Sequence, residues 1–466
     1  MISPLELHPE VSKYVEESLF HEQMIKDYGE ETCSSLFRHL LAYLSTPPSY
    51  TTLRINVLSA SASDIRKQVE QILTKQYKKK DWPPPVIDVH PMIADMLVIR
   101  NDGPHDIKQV ENEVIIDLSC GTAVLRGADI YIQGILAATP GMRVGDEVSV
   151  YVDLDRGCRK GLTKPYEGRK LFVGNGMALC SRQDVFCSKE KTSGVGIQMT
   201  KPLYQSPSLS GLIPDLVYPQ NLPSIVCSHV LDPQPGELIL DMCAAPGGKT
   251  SHIATLMRDK GRLVALDKSK NKTTKIRDCC QQWGLHSVEV YAFDATKCLD
   301  SSSVIEGAPP YPPNTFSRIL LDAPCSGLGQ RPSLKSHMTL AEVSSYPPLQ
   351  RQLFSKAVEL LAPGGILVYS TCTITVSENE DIVTWALKEF PDISLQSQSP
   401  HIGRSSWPHR LFTVRQCEML QRFGLSWTKD LSHSSGNTSV DDASEAGDSV
   451  DSNTIGFFIA KFIKLQ

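Results

Sequence analysis

The chain has 466 residues, enough for two or three domains with large hydrophobic cores. Its 47 basic and 52 acidic side chains give a net charge of −5, so any surface that binds nucleic acid has to be local. No apolar signal core follows Met1, and no uncharged apolar run of about 18 residues occurs, so we expect a soluble cytoplasmic protein that does not enter a membrane.

The thirteen cysteines are an odd number and cannot all pair, which favours reduced thiols, most of them buried. The chain holds no CxxC pair, and the adjacent Cys279 and Cys280 cannot both turn easily to one metal ion. We therefore expect no metal site.

The first 110 residues predict an N-terminal α+β subdomain that packs on the catalytic domain. Apolar residues recur at helical intervals up to about residue 45, and Pro47 and Pro48 end this helical section. A further helix, capped by Ser61 or Ser63, lies among extended segments. This βαβ-like pattern leaves open an RNA-binding subdomain and a packing annex, because no aromatic RNA-binding signature is present. The predicted extended segments are 52–58, 86–89 and 96–99.

Residues 111–204 change to short β segments broken by glycines, which is typical of a small barrel. Six basic residues between positions 156 and 170 are opposed only by Asp155 and Glu167, and such a cluster suits RNA phosphates. The predicted strands are 114–118, 123–125, 135–138, 147–152, 170–175 and 196–199. The basic residues are Arg156, Arg159, Lys160, Lys164, Arg169 and Lys170.

Three motifs further along the chain each follow a short apolar run of the kind that forms a strand buried on both faces. Because parallel strands end at the same edge of a sheet, we expect the motifs to converge on one crevice. Alternating strands and helices up to Glu389 predict a doubly wound α/β sheet. The apolar runs are 237–240, 317–321 and 366–369. The motifs are DMCAAPGGKT at 241–250, LDAPCSG at 321–327 and YSTCT at 369–373.

The glycine turn at Gly247 and Gly248 allows the backbone to approach a ligand closely. It is not a Walker loop, because Cys243 stands where that loop requires its first glycine. Asp267 at the end of the next strand can accept from both hydroxyls of a ribose, and Asp294 at the end of the third strand can reach an adenine amine. These positions favour S-adenosylmethionine, a nucleoside without phosphates.

Two cysteines suit methylation of cytosine at carbon 5, which is a poor nucleophile until a thiolate adds at carbon 6. Afterwards a base must remove the proton from carbon 5 so that the thiol can leave. Cys325 and Cys372 at neighbouring strand ends suit the two steps, addition of a thiolate and its later release. The residues themselves leave open which of the two cysteines attacks. Asp322 is expected to face the Watson–Crick edge of a flipped or unpaired base, and Lys249 is a candidate for lowering the pKa of a thiol.

In this order and spacing, the three motifs resemble those of the Sun-domain family of RNA:cytosine-5 methyltransferases. The resemblance runs from about residue 221 to 462 and implies a Rossmann-like class I methyltransferase sheet with S-adenosylmethionine as cofactor. It implies that Cys372 attacks and Cys325 assists release, in a catalytic set with Asp322 and Lys249. Lys272 stands where relatives often have arginine, which keeps the charge but alters a bidentate contact. The expected cofactor-binding residues are Cys243, Ala244, Ala245, Pro246, Gly247, Gly248, Lys249, Asp267, Lys272, Asp294 and Asp322.

The barrel sequence resembles a PUA domain through its runs at 121–131, 134–135 and 143–148. This narrows the likeness to the branch of the family that carries such an insertion, and it implies a grip on structured RNA, often a tRNA acceptor end. Tyr131 is either a stacking platform for a base or an exposed strand residue. The expected RNA-binding residues are Arg126, Tyr131, Arg159, Lys160 and Arg182.

The expected parts are therefore an α+β subdomain at 1–110, a PUA domain at 111–204 and a methyltransferase domain at 205–466. Residues 431–453 are rich in Ser, Asp and Gly and are expected to be disordered, before a final strand at 454–462 that the resemblance makes antiparallel. The predicted function is that of a monomeric tRNA cytosine-5 methyltransferase that recognises the CCA end through the PUA domain. Two alternatives remain, the same chemistry on structured messenger or ribosomal RNA, and a non-catalytic RNA-binding scaffold.

Overall fold

The computed structural model describes residues 2–187, 193–209, 211–406, 412–425 and 449–466. Three sheets of four, six and eight strands organise this part of the chain. Within these ranges, no helix combines the length and the apolar composition needed to cross a membrane.

The N-terminal helices form as the helical spacing predicts, and they pack against the catalytic part of the chain. Val11, Val15 and Leu19 share one buried helix face, in a cluster with Leu328 and Ile374 from the far half of the sequence. The elements of the first 110 residues are α1 Pro9–Leu19, α2 Glu22–Tyr28, α3 Glu30–Ser45, β1 Tyr50–Ile55, α4 Ala62–Lys79, β2 Ile87–Val89 and β3 Met96–Arg100.

The predicted extended segments and the cap of α4 are confirmed, since Ser61 Oγ accepts a hydrogen bond from Asp64 N at 3.2 Å. Helix α4 covers its sheet with Ile65, Val69 and Leu73. The strands pair antiparallel in the order β10, β1, β3, β2, where β10 is Val217–Pro219. The chain thus leaves this sheet, forms the inserted β region at 111–204, and returns to add an edge strand, beyond the predicted boundary at residue 110.

The inserted β region is a six-stranded sheet in the order β5, β9, β8, β7, β4, β6 around its own apolar core. Five predicted strands are confirmed, but the strand at 123–125 is wrong because those residues lie at the end of a helix, α5. Asp117 caps this helix, and an added Cβ at Gly121 would lie 2.3 Å from the Val152 side chain, so the helix packs tightly on β7. The elements are β4 Glu113–Ile116, α5 Leu118–Val124, β5 Ile130–Tyr131, β6 Ile135–Ala138, β7 Glu147–Asp153, β8 Lys170–Ala178, α6 Arg182–Phe186 and β9 Val195–Pro202.

The large sheet is doubly wound, as predicted, with helices on both faces. Its order is β13, β12, β11, β14, β15, β18, β16, and β17 also pairs with β18. The first five strands are parallel, whereas β18 runs antiparallel to β15, as the resemblance implied. The elements are α7 Leu222–Leu231, β11 Leu238–Asp241, α8 Gly248–Leu256, β12 Arg262–Asp267, α9 Lys270–Gln282, β13 Val288–Ala292, β14 Phe316–Asp322, α10 Leu340–Leu360, β15 Leu361–Thr371, α11 Glu380–Glu389, β16 Ile393–Leu395, α12 Val414–Glu418, β17 Gln421–Phe423 and β18 Phe457–Lys464.

Two apolar cores sandwich this sheet. Helices α7, α8 and α9 pack on one face, and α10 and α11 pack on the other. The chain reverses its direction of winding between β11 and β14, and in such sheets a ligand crevice opens at the carboxyl ends of the strands on either side of the reversal.

The expectation of disorder at 431–453 falls mostly on residues 431–448, which lie outside the described residues. It is wrong for 449–453. Asn453 Oδ1 accepts hydrogen bonds from Ser49 N at 3.2 Å and from Arg331 Nη1 at 2.9 Å, and Asp451 Oδ1 lies 2.8 Å from His90 Nε2. These contacts fix the segment against the N-terminal subdomain.

Candidate active site

The glycine turn connects β11 to α8 at the carboxyl edge of the large sheet. Gly247 caps the helix with a φ of 108°, a conformation that favours glycine. Ala244 N donates to Leu266 O at 2.8 Å, and Thr250 Oγ1 donates to Asp241 Oδ2 at 2.7 Å. The turn is therefore held by the neighbouring strand β12 and by the end of its own strand.

Lys249 and Asp322 form a partly buried ion pair at the centre of this edge. Lys249 Nζ lies 2.7 Å from Asp322 Oδ2, and Ser370 Oγ donates to Asp322 Oδ1 at 2.7 Å. Burial opposes the charge of Lys249, but the Asp322 carboxylate outweighs it and raises the pKa of the lysine. The lysine ammonium also lies 5.2 Å from the centroid of the Phe457 ring. These contacts thus bring together one side chain from each of the three predicted motifs, Lys249, Asp322 and Ser370.

The two motif cysteines lie side by side, with 3.4 Å between their sulfur atoms. The hydrogen bond from Cys325 and the nearby Lys249 ammonium lower the pKa of Cys372 to about 7, against the opposing effects of burial and of Asp322. The same hydrogen bond, together with burial, raises the pKa of Cys325 well above its usual value. The opposite directions of these two pKa shifts correspond to a Cys372 thiolate that accepts a hydrogen bond from the Cys325 thiol.

The two expected cofactor carboxylates follow neighbouring strands. Asp267 ends β12, and its Oδ1 accepts from Ser269 N at 2.9 Å. Asp294 stands two residues beyond the end of β13, where its carboxylate accepts from Thr296 N at 3.1 Å and pairs with Lys268 Nζ at 3.1 Å. Lys272 lies exposed near the start of α9.

Arg54 of β1 supports the glycine turn, although no local motif marks this arginine in the sequence. Its Nη2 donates to Gly248 O at 3.3 Å and to Ser251 Oγ at 2.7 Å, and its guanidinium carbon lies 4.0 Å from the Trp283 ring centroid. Burial lowers the pKa of Arg54 to about 10. The N-terminal subdomain therefore contributes directly to the shape of the site.

A cavity of about 560 Å³ runs between the three sheets. Arg126 and Tyr131 of the inserted β region line one side of it, and Gln330 and Arg331, which follow the LDAPCSG motif, line another. Gln330 also donates toward Cys372, where it helps to lower the pKa of the thiol. The cavity thus extends from two of the five expected RNA-binding residues to Gln330, which interacts with Cys372.

The other three expected RNA-binding residues do not line this cavity. Arg159 and Lys160 are exposed on a loop. Arg182 instead donates to three backbone carbonyls, those of Ala138, Gly161 and Leu162, at 2.9 to 3.1 Å. Its guanidinium therefore holds loops of the inserted β region together, and the expected contact of Arg182 with RNA stays a prediction.

The basic cluster between residues 156 and 170 has more acidic partners than the local sequence indicated. Arg169 pairs with Asp155 and also with Glu6, at 2.6 and 2.7 Å, and Lys170 pairs with Glu113 at 2.5 Å. Glu6 and Glu113 are remote in sequence, so a local count of charges could not include them.

Among the described residues, Asp95, His229 and His252 bring one carboxylate and two imidazoles close enough together to be considered as a metal site. Asp95 is far from the two histidines in the sequence, and no motif groups the three residues. Asp95 Oδ1 lies 2.8 Å from His229 Nε2, and Asp95 Oδ2 lies 2.7 Å from His252 Nε2. Burial lowers the pKa of His252 to about 4, so its neutral ring donates to Asp95. His252 Nδ1 is buried without a hydrogen-bond partner among the described residues, whereas a metal-bound histidine normally donates its second N–H. The arrangement fits a hydrogen-bonded cluster.

Comparison with known proteins places the chain in a family. Residues 228–410 match the family model described as 16S rRNA methyltransferase RsmB/F. The tRNA (cytosine(72)-C(5))-methyltransferase NSUN6 of Mus musculus is 46% identical over 99% of this chain and 97% of its own, and that of Homo sapiens is 44% identical over 99% and 98%. The chain belongs to the Sun-domain family of RNA cytosine-5 methyltransferases. A crystal structure of NSun6 from Pyrococcus horikoshii with SFG matches 99% of both chains, with 28% identity and a TM-score of 0.71.

As a member of this family, the protein is an S-adenosylmethionine-dependent RNA cytosine-5 methyltransferase. The residues at the sheet edge fit that cofactor. Asp267 and Asp294 are fixed by backbone amides and can accept hydrogen bonds from ribose hydroxyls and an adenine amine, whereas they would repel phosphates. When bound, the cofactor supplies the methyl group.

Proposed function

We propose that the protein methylates a cytosine in the acceptor stem of tRNA, and that the inserted β region holds the 3′ CCA end as a PUA domain. The relatives named above act on cytosine 72 of tRNA by their names. The observation that carries the proposal is the cavity, which extends from Arg126 and Tyr131 to Gln330 beside Cys372. A single-stranded end and the adjacent base pair could occupy its two ends.

Tyr131 suits a stacking role in this proposal, because its side chain is 51% exposed and lines the cavity. Bases stack on aromatic rings, and arginine nearby can meet a phosphate. Arg126 and Tyr131 therefore remain RNA-binding candidates, as do the exposed Arg159 and Lys160. Arg182 also remains a candidate.

The cysteine geometry supports a division of labour between the two thiols. The thiolate of Cys372, with its pKa of about 7, adds to carbon 6 of the flipped cytosine. Asp322, held by Lys249 and Ser370, interacts with the Watson–Crick edge and draws electron density from the ring. After methylation a base removes the proton from carbon 5, and the bond between Cys372 and carbon 6 breaks. Cys325 then stabilises the departing thiolate through the hydrogen bond that it donates across 3.4 Å.

Both cysteines, Lys249 and Asp322 meet within one chain, so the proposed chemistry needs no residue of a second copy, which supports action as a monomer. A tRNA substrate supports a cytoplasmic location. Structured messenger RNA that presents a similar single-stranded end beside a stem would fit the same cavity and is a second proposed substrate.

The test is transfer of labelled methyl from S-adenosylmethionine to total tRNA with and without the 3′ CCA, with 5-methylcytosine mapped by bisulfite sequencing. We expect modification in the acceptor stem that is lost when CCA is removed. Modification that is indifferent to CCA would overturn the proposed role of the inserted β region, and modification elsewhere in the tRNA would overturn the proposed target.

A further inference from the structure

Two adjacent buried side chains, Glu378 and Asn379, lie in the loop between β15 and α11, and both are fully buried. We propose that they are positioning residues, and that each holds the residues on either side of one catalytic cysteine. Glu378 places Cys325 for the release step, and Asn379 places Cys372 for the addition step. This inference rests on the roles proposed above for the two cysteines.

Glu378 holds the residues on both sides of Cys325, Ser326 directly and Pro324 through Gln350. Its Oε2 accepts from Ser326 N at 2.9 Å, and its Oε1 accepts from Ser326 Oγ at 2.6 Å. On the other flank, Gln350 Nε2 donates both to Glu378 Oε2 at 3.0 Å and to Pro324 O at 2.9 Å. The backbone on each side of Cys325 is therefore tied to one carboxylate.

Asn379 makes the corresponding contacts around Cys372. Its Oδ1 accepts from Thr371 Oγ1 at 2.5 Å, and its Nδ2 donates to Thr373 O at 3.1 Å. An asparagine suits this position because one flank offers a donor and the other an acceptor.

The two sets of contacts are joined to each other. Ser326 Oγ lies 2.7 Å from Thr373 Oγ1, so the residues after the two cysteines touch directly. Glu378 is itself fixed, since its Oε1 accepts from Thr375 Oγ1 at 2.7 Å and its backbone oxygen accepts from Tyr369 OH at 2.6 Å. The network therefore sets the distance between the two sulfur atoms.

That distance matters because the hydrogen bond between the sulfur atoms determines which thiol is ionised. At 3.4 Å Cys325 can donate to Cys372, and this contact would be lost if either loop moved by about 1 Å. Loss of the Cys325 position should slow release, whereas loss of the Cys372 position should slow attack.

The experiment compares two substitutions at Glu378 that separate the length of its side chain from its charge. Glu378→Asp keeps the carboxylate but withdraws it by one methylene, and Glu378→Gln keeps the length but removes the charge. Purified variants are incubated with tRNA and S-adenosylmethionine, and the covalent protein–RNA adduct is followed by denaturing gel electrophoresis.

We expect Glu378→Asp to lengthen the lifetime of the adduct by at least about tenfold, since misplacement by about 1 Å costs up to about 10²-fold. Glu378→Gln should lengthen it much less. Asn379→Ala should instead slow the formation of the adduct, and the adduct should not accumulate. The matched control is Thr384→Val in helix α11, which directly follows the two residues. It removes a buried hydroxyl that donates to Glu380 O at 2.9 Å and to no other group among the described residues, and it should change neither rate.

Combination with Cys325→Ala distinguishes this inference from the proposed cysteine roles. If Cys325→Ala alone traps an adduct, those roles stand, and Glu378→Asp should then add no further lengthening in that background. Additive lengthening, or loss of turnover without adduct in Glu378→Asp at unchanged melting temperature, would overturn the inference. Should Glu378→Asp fail to fold, Ser326→Ala removes only the hydroxyl from the network, and a normal adduct lifetime in that variant would also overturn it.

Discussion

At the scale of single residues, the two cysteines at the carboxyl edge of the large sheet carry the proposed chemistry, with 3.4 Å between their sulfur atoms. Cys325 and Cys372 stand inside short motifs that follow buried strands, so their meeting at one sheet edge could be predicted. Glu378, Asn379 and Arg54 were missed because their partners are brought to them only by the folded chain. Arg182 was assigned to RNA, and its carbonyl contacts could not be foreseen from its position after the barrel glycines.

The lowered pKa of Cys372 gives the first prediction. Alkylation of Cys372 by iodoacetamide should rise with pH around a midpoint of about 7, because the thiolate reacts and the usual thiol pKa is near 8.5. Lys249→Met should move the midpoint upward, since it removes a charge that favours the thiolate.

Peptide mass spectrometry after quenching measures this profile for each cysteine separately. Cys280 and Cys227, whose pKa values burial raises to about 12, serve as internal references and should remain unmodified. A midpoint for Cys372 at or above 8.5 would contradict the assigned thiolate.

At the scale of elements, hydrophobic patterns predicted the strands well and failed at α5. The segment 123–125 is a short apolar run like that of a strand, yet it ends a helix because Asp117 provides a cap and Gly121 allows close packing on β7. The missing strand is only two residues long, Ile130–Tyr131, too short for a periodic pattern. Contacts with distant strands thus override local propensity here.

Gly121→Ala tests this packing. A Cβ at this position would lie 2.3 Å from the Val152 side chain, so the substitution should lower the free energy of unfolding by about 1–3 kcal/mol. Urea denaturation provides the measurement. Thr122→Ala, in the same helix, should change stability by less than about 0.5 kcal/mol, and equal stability of the two variants would show that β7 accommodates the methyl group.

At the scale of the whole molecule, the N-terminal part of the chain packs against the catalytic part, and Arg54 extends this packing to the glycine turn. Strand β10 returns to its sheet, and Arg331 connects α3 to the segment at 449–454 through bonds to Tyr43 O at 2.8 Å and Thr454 O at 3.0 Å. The doubly wound order itself was predictable from alternating elements. The long-range pairings were not predictable, because each joins residues that are more than 100 positions apart.

The buried cluster of Asp95, His229 and His252 joins the same two parts and predicts a pH dependence. The folded pKa of His252 is about 4, below the usual value of about 6.5, so the unfolded chain binds more protons between these pH values. The stability that this residue contributes is present above about pH 6.5 and is lost as the pH falls. Between pH 7.5 and 5.0 the loss from His252 should be about 2 kcal/mol.

His252→Gln tests this, because glutamine can still donate to Asp95 but does not titrate. The variant should lose less free energy of unfolding than the wild type between pH 7.5 and 5.0 in urea titrations. The exposed His39→Gln is the control and should follow the wild type. Identical losses for all three proteins would contradict a buried neutral His252.

The division of labour between the cysteines is tested most directly by adduct formation in two variants. Cys325→Ala and Cys372→Ala are incubated with tRNA and S-adenosylmethionine, and covalent protein–RNA adducts are resolved on denaturing gels. We expect Cys372→Ala to lose turnover by at least about 10³-fold with no adduct, and Cys325→Ala to accumulate adduct because addition proceeds while release stalls. Loss of activity without adduct in both variants, or adduct in Cys372→Ala alone, would contradict the account.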